Sequence, residues 1–63
     1  MHREEIKAQL RLIGSSLASV ARELGVKKQT VNTVVVGKGR SKRIEMAIAQ
    51  KLGLTVEEVW PER

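Results

Sequence analysis

Residues 17–36 read LASVARELGVKKQTVNTVVV, and their apolar positions have the spacing of two short helices. Within residues 17–24, apolar side chains recur every three or four residues, as on one face of a helix: Leu17, Val20, Ala21 and Leu24. Gly25 follows, and glycine commonly ends a helix in the left-handed conformation. Two short helices joined by a glycine-containing turn form a helix-turn-helix, which we predict over about residues 17–36.

The motif can be tested position by position, counting Leu17 as the first. Its fifth residue, Ala21, is small enough for the two helices to approach closely, and its ninth, Gly25, suits the positive φ of the turn. The positions that should be apolar are all apolar: Val20, Leu24, Val26, Val31 and Val34. The match is specific because alanine and glycine both fall where the packing requires them.

The second half of the segment is ambiguous by composition. Residues 30–36 are rich in β-branched side chains, which favour strands. No other segment reads as a strand, so a strand here would have no partner and would be an exposed edge. We therefore predict a helix at about residues 28–36, ending before Gly37.

Further helices are predicted on both sides. Before the motif, apolar residues at i, i+4 and i+7 predict a first helix that buries Ile6, Leu10 and Ile13, with Gly14 at its end. Either Ser15 or Ser16 could cap the helix that follows.

After the motif, a fourth helix should follow Ser41 and end at Gly53, with four side chains on its inner face: Ile44, Ala47, Ile48 and Leu52. Thr55 and Glu58 form a capping box for a short fifth helix that Pro61 ends, and Trp60 is expected in the core. The predicted fold is all-α, a compact domain of four or five helices that spans residues 1–63.

The composition excludes several functions. The chain has no cysteine and no aspartate, and its one histidine is His2, so disulfides, thiolate zinc sites, a metal cluster and a Ser-His-Asp triad are excluded. We expect no catalytic activity, no cofactor and no metal. Neither a targeting segment nor a membrane span is visible, and we expect a cytoplasmic location.

The positive charge is concentrated in one segment. The net charge is +5, and residues 27–43 hold six cations and no acid, while the rest of the chain holds six cations and seven glutamates. Such a segment can be a solvated basic face, but it also suits an anionic partner such as nucleic acid or a membrane surface.

The chain also resembles a family over nearly its whole length. The resemblance is carried by His2-Arg3, Ile6, Leu10-Arg11, Ser16-Leu17-Ala18, Arg22-Glu23-Leu24-Gly25, residues 44–49, Leu52-Gly53-Leu54 and residues 56–61. The sequence looks like the Ner-like regulators of transposable phages and prophages, within the lambda-repressor-like group. This resemblance implies an all-helical fold that binds DNA through its helix-turn-helix and represses transcription. It also implies a DNA-associated protein of the bacterial cytoplasm.

The exposed face of the third helix is suited to reading bases. It should carry amides, a hydroxyl, one cation and a methyl-bearing side chain, with no carboxylate, and these groups match base edges in the major groove. The candidates for base readout are Lys28, Gln29, Asn32, Thr33 and Val36.

Other residues are suited to the phosphates of the DNA backbone. The start of the second helix, at Ser16 and Leu17, has free N–H groups for an anion, and a cation at the start of the third helix would be stabilised by one. The candidates for phosphate contact are Ser16, Leu17, Lys27, Thr30, Lys38, Arg40, Lys42 and Arg43. Arg22 could equally contact DNA or pair with Glu23 or another surface group.

The expected function is sequence-specific binding of double-stranded DNA by a transcriptional repressor. One recognition helix reads only a few base pairs, so a second copy on the operator is expected, without a small-molecule effector. The alternative is a protein-interaction module, antitoxin-like or an adaptor, whose basic face binds an acidic protein. Membrane binding is less favoured because the valines of the basic segment are needed for the core.

Overall fold

The computed structural model describes residues 1–63 and contains five α-helices and no strand. The helices are α1 (Arg3–Leu12), α2 (Leu17–Leu24), α3 (Lys28–Val35), α4 (Lys42–Leu52) and α5 (Val56–Val59). The all-α prediction is confirmed. No helix is both long enough and apolar enough to cross a membrane.

Four of the five helices begin at a side chain that caps them. His2 Nδ1 accepts a hydrogen bond from the Glu4 amide at 3.1 Å, and Ser16 and Ser41 cap α2 and α4 in the same way. Thr55 and Glu58 form the predicted capping box of α5. Only α3 lacks such a bond, because Lys27 stands at its N-cap.

The valine-rich segment is helical, as the context of the chain predicts. It forms α3 up to Val35, and Val36 is the C-cap rather than the last helical residue. Val31, Val34 and Val35 are buried on one side of α3, where they pack with α2 and α4. Burial of this apolar stripe outweighs the modest preference of valine for strands.

The core is aliphatic apart from one indole. Trp60 is buried, as expected, and its Nε1 donates to the Val35 carbonyl at 3.4 Å. The other buried apolar side chains come from all five helices: Ile6, Leu10, Leu17, Val20, Ala21, Val31, Val34, Val35, Ile44, Ile48, Ala49 and Val59.

Two expectations about burial, for Ile13 and Ala47, need correction, and one buried residue was not expected. Ile13 is 52% exposed, because α1 ends at Leu12 and the chain leaves the helical path that would have turned Ile13 inward. On α4, Ala49 is buried, whereas Ala47 is only half-buried. Leu52 is half-buried and packs against the core, in agreement with its predicted place on the inner face. The same helix buries Glu45, a carboxylate that the apolar pattern gave no reason to place inside.

Candidate nucleic-acid interface

The exposed side of α3 and the start of α2 form one open groove. Gly25, at φ +71°, ends α2 and turns the chain so that α3 packs across it. The groove is lined from three helices by Lys7, Arg11, Ser16, Leu17, Ala18, Lys28, Gln29, Asn32 and Thr33. Three of these residues are cations, Lys7, Arg11 and Lys28, and none is a carboxylate. Lys27, next to Lys28 at the start of α3, is also exposed, so this surface is electropositive.

The groove contains four of the five residues predicted to read bases. Lys28, Gln29 and Asn32 make no side-chain hydrogen bond or ion pair within the chain, so their polar atoms are available to a ligand. Val36 lies elsewhere, half-buried beside Trp60 and Arg63 at the other end of α3.

Thr33 lines the groove but uses part of its hydrogen-bonding capacity within α3. Its hydroxyl donates to the Gln29 carbonyl at 2.7 Å, one turn earlier. The Thr33 oxygen can still accept a hydrogen bond from outside, for example from an amino group of a base, but the hydroxyl cannot donate elsewhere while it keeps this bond.

The start of α2 also faces the groove. The Ser16 hydroxyl is used as the N-cap and accepts from the Ser19 amide at 3.0 Å. The amides of Leu17 and Ala18 have no acceptor within the chain, as is usual in the first turn of a helix. Although the Leu17 side chain is buried, its N–H can donate to a phosphate oxygen.

The start of α3 is similar but lacks a side-chain cap. Lys27 and Thr30 are both exposed there, and the Lys27 ammonium has no acidic partner. An anion at this end would interact favourably with the helix dipole and with Lys27 together.

The four cations after α3 differ in what they already contact. Lys38 and Lys42 are exposed and unpaired. Arg40 is paired with Glu45 at 3.0 Å, and Arg43 donates to the Leu24 carbonyl at 2.8 Å, at the end of α2. Lys38 and Lys42 are therefore free for a phosphate, whereas Arg40 and Arg43 have structural contacts as well.

Arg22 does not pair with Glu23. Glu23 pairs with Lys51 of α4 at 2.8 Å, and Arg22 instead approaches the Ser19 hydroxyl at 3.5 Å. Arg22 therefore has no carboxylate partner and is exposed in the last turn of α2.

Sequence reasoning missed two residues of the groove, Lys7 and Arg11. They lie four residues apart on one face of α1, and both line the groove opposite α3. Lys7 has only a loose ion pair, at 3.6 Å, with Glu4. The shared face could be read from their spacing, but the packing of α1 was needed to show that this face borders the groove.

Comparison with known proteins agrees with this geometry. The winged helix-turn-helix DNA-binding family matches residues 1–63, the full length of the chain. The structure has the helix-turn-helix but no strand from which a wing could be built. No match was found among curated proteins or among solved structures. On the full-length match, the chain belongs to the winged helix-turn-helix DNA-binding family.

Proposed function

We propose that this protein is a sequence-specific repressor that inserts α3 into the major groove of duplex DNA. The observation that carries the proposal is the groove itself, where Lys28, Gln29 and Asn32 have unpaired polar atoms beside the free amides of α2. Amides and a lysine can recognise adenine and guanine edges in the major groove. Residues from α1, α2 and the segment after α3 would hold the flanking phosphates.

The proposed role of each residue follows from the donors, acceptors and charges that it leaves unpaired within the chain. Lys28 would donate to base edges, and Gln29 and Asn32 would both donate and accept. Thr33 would accept while its hydroxyl stays bonded to the Gln29 carbonyl. Ser16 and Leu17 would fix the register through the backbone amides at the start of α2. Five cations would supply charge to phosphates: Lys7, Arg11, Lys27, Lys38 and Lys42. Only Lys7 would give up an ion pair, its loose 3.6 Å contact with Glu4.

Repression would result from occupancy of a promoter, with no catalytic step. The resemblance to Ner-like regulators supports this role. The molecule is only 26 × 24 × 18 Å, and α3 has eight residues, so one copy covers a few base pairs. Two copies on a symmetric or repeated site would supply the remaining specificity.

The proposal is tested by selection from a pool of random duplex DNA. The winning sequence and a scrambled control are then titrated at two salt concentrations. We expect the winner to bind at least about 10³-fold more tightly than the control. If about four to six phosphates are neutralised, log K should fall with log salt at a slope of roughly −4 to −5.

A selection without a motif would contradict sequence-specific binding. Recovery of no motif, with equal and steeply salt-dependent affinities for both duplexes, would mean that the basic surface binds DNA without reading it. A protein partner with an acidic surface would then be the better explanation of the charge. A promoter fused to a reporter tests the direction of regulation, and we expect lower expression when the protein is present.

A further inference from the structure

A buried ion pair lies behind the end of α3, on the side away from the groove. Arg63 Nη1 is 2.8 Å from Glu45 Oε2, and the two side chains are only 7% and 4% exposed. The Arg63 guanidinium also lies over the indole of Trp60, 4.5 Å from its centroid. A buried carboxylate requires such a partner, because an uncompensated charge inside a small core is strongly destabilising.

The same guanidinium reaches α3 directly. While Nη1 contacts Glu45, Nη2 donates to the carbonyl of Val34 in the last turn of α3. The next carbonyl, that of Val35, accepts from Trp60 Nε1 at 3.4 Å. Two of the carbonyls at the end of α3 are therefore held by side chains from the last four residues of the chain.

The segment after α3 depends on the same helix end. The Gly37 amide donates to the Val34 carbonyl at 3.2 Å, and the amides of Lys38 and Gly39 both donate to the Thr33 carbonyl at 3.1 Å. A displacement of the end of α3 would therefore move the segment that carries Lys38 and Arg40. Glu45 holds this segment from the other side, through its 3.0 Å contact with Arg40.

We propose that Arg63 and Glu45 are positioning residues for DNA recognition. They fix the end of α3 and residues 37–40 relative to α4, so that base-reading and phosphate-binding side chains meet one DNA duplex in a single register. The inference rests on the proposed function and extends it to two residues that lie outside the groove. Neither residue needs to touch DNA.

The pair also explains how Arg40 could serve a phosphate. Arg40 is 66% exposed and shares Glu45 Oε2 with Arg63. Because Arg63 keeps Glu45 paired, Arg40 can exchange the carboxylate for a phosphate without leaving a buried charge uncompensated. Glu45 would hold Arg40 near its binding position until DNA arrives.

The main test is the double variant Glu45→Met with Arg63→Met. It removes one acid and one base, so the net charge of +5 is retained, and it leaves no unpaired buried charge. We expect its affinity for scrambled duplex and its salt slope to match wild type. The ratio of specific to scrambled affinity should fall about tenfold, the effect of one lost charged hydrogen bond.

The second variant, Arg63→Lys, tests the proposal independently if the double variant does not fold. Lysine keeps the charge opposite Glu45, but its single ammonium lacks the planar fork that joins Glu45 to Val34. We expect the ratio to fall here too. The matched control is Lys51→Met, which removes a cation and the Glu23 ion pair outside this network, and it should leave the ratio unchanged.

Amide hydrogen exchange of Gly37, Lys38 and Gly39 in the free protein gives a readout that does not need DNA. Exchange should be faster in both Arg63 variants than in wild type, and unchanged in Lys51→Met. If both Arg63 variants keep the wild-type ratio of specific to scrambled affinity, the proposal is wrong, even if their amides exchange faster. If the wild-type protein selects no DNA motif, the proposed function is wrong. In that case, exchange rates that are unchanged in the Arg63 variants would show that the Arg63–Glu45 pair does not hold residues 37–40 either.

Discussion

Gly39 lies against Thr33 with no room for a side chain. A Cβ on Gly39 would come within 2.9 Å of Thr33 Cγ2, closer than carbon atoms approach in a packed protein. The Gly39 amide also donates to the Thr33 carbonyl at 3.1 Å. The chain after α3 therefore folds back on the helix at the residue where the groove ends.

Replacement of Gly39 by alanine should move this segment away from α3. We expect a loss of about 1–3 kcal/mol in the free energy of unfolding, as for other overpacked sites, measured by chemical denaturation. The matched background is Thr33→Ser, which removes the methyl group that the new Cβ would meet. The cost of Gly39→Ala should be smaller there, and an equal cost in both backgrounds would contradict this contact.

Base-reading and phosphate-binding residues should respond differently to substitution. Lys28→Ala and Gln29→Ala should each cost about 1–3 kcal/mol of binding free energy on the selected duplex and relax the preference at particular base pairs. Lys42→Ala should weaken all duplexes alike and reduce the magnitude of the salt slope by about 1. Repeating the selection with each variant measures both effects. Uniform weakening by all three would show that the division of roles is wrong.

Arg43 and Lys42 are adjacent cations that differ in their contacts. Arg43 donates to the Leu24 carbonyl at the end of α2, whereas Lys42 has no partner within the chain. We expect Arg43→Ala to lower the free energy of unfolding by about 0.5–1.5 kcal/mol. Lys42→Ala should change it by less than about 0.5 kcal/mol. Thermal or denaturant unfolding without DNA is the measurement, and equal stabilities would show that the Leu24 contact contributes little in solution.

The two cations of α1 should strengthen DNA binding without specifying sequence. Replacing both Lys7 and Arg11 by alanine should lower the magnitude of the salt slope by about 2 and leave the selected motif unchanged. Lys51→Ala is the control, since Lys51 pairs with Glu23 and does not line the groove. A slope equal to that of wild type would place α1 outside the DNA-binding surface.

Much of the secondary structure could be predicted from residues that are close in the chain. Ser16, Ser41 and Thr55 cap helices by accepting from an amide three residues on, and Gly53 ends α4 at φ +71°. These interactions need no distant partner, so the sequence shows them directly. The helix-turn-helix was predictable for the same reason, because its apolar periodicity and its Ala21 and Gly25 lie within twenty residues.

The helical state of residues 30–36 was settled by context rather than by local preference. Their β-branched side chains favour a strand, but Val31, Val34 and Val35 can all be buried against α2 and α4 only on a helix. The end of this helix was predicted less accurately. The prediction included Val36, whereas the helix ends at Val35 and Val36 is its C-cap.

Other features depend on residues far apart in the sequence. Glu45 meets Arg63 across 18 positions, Arg43 meets Leu24 across 19, and the face of α1 that borders the groove is set by its packing. Periodicity shows which residues share a helix face but not what that face meets. Local hydrogen bonds and apolar spacing therefore determine the helices and the motif, whereas the burial of Glu45, the exposure of Ile13 and the contacts of each cation arise only when the helices pack.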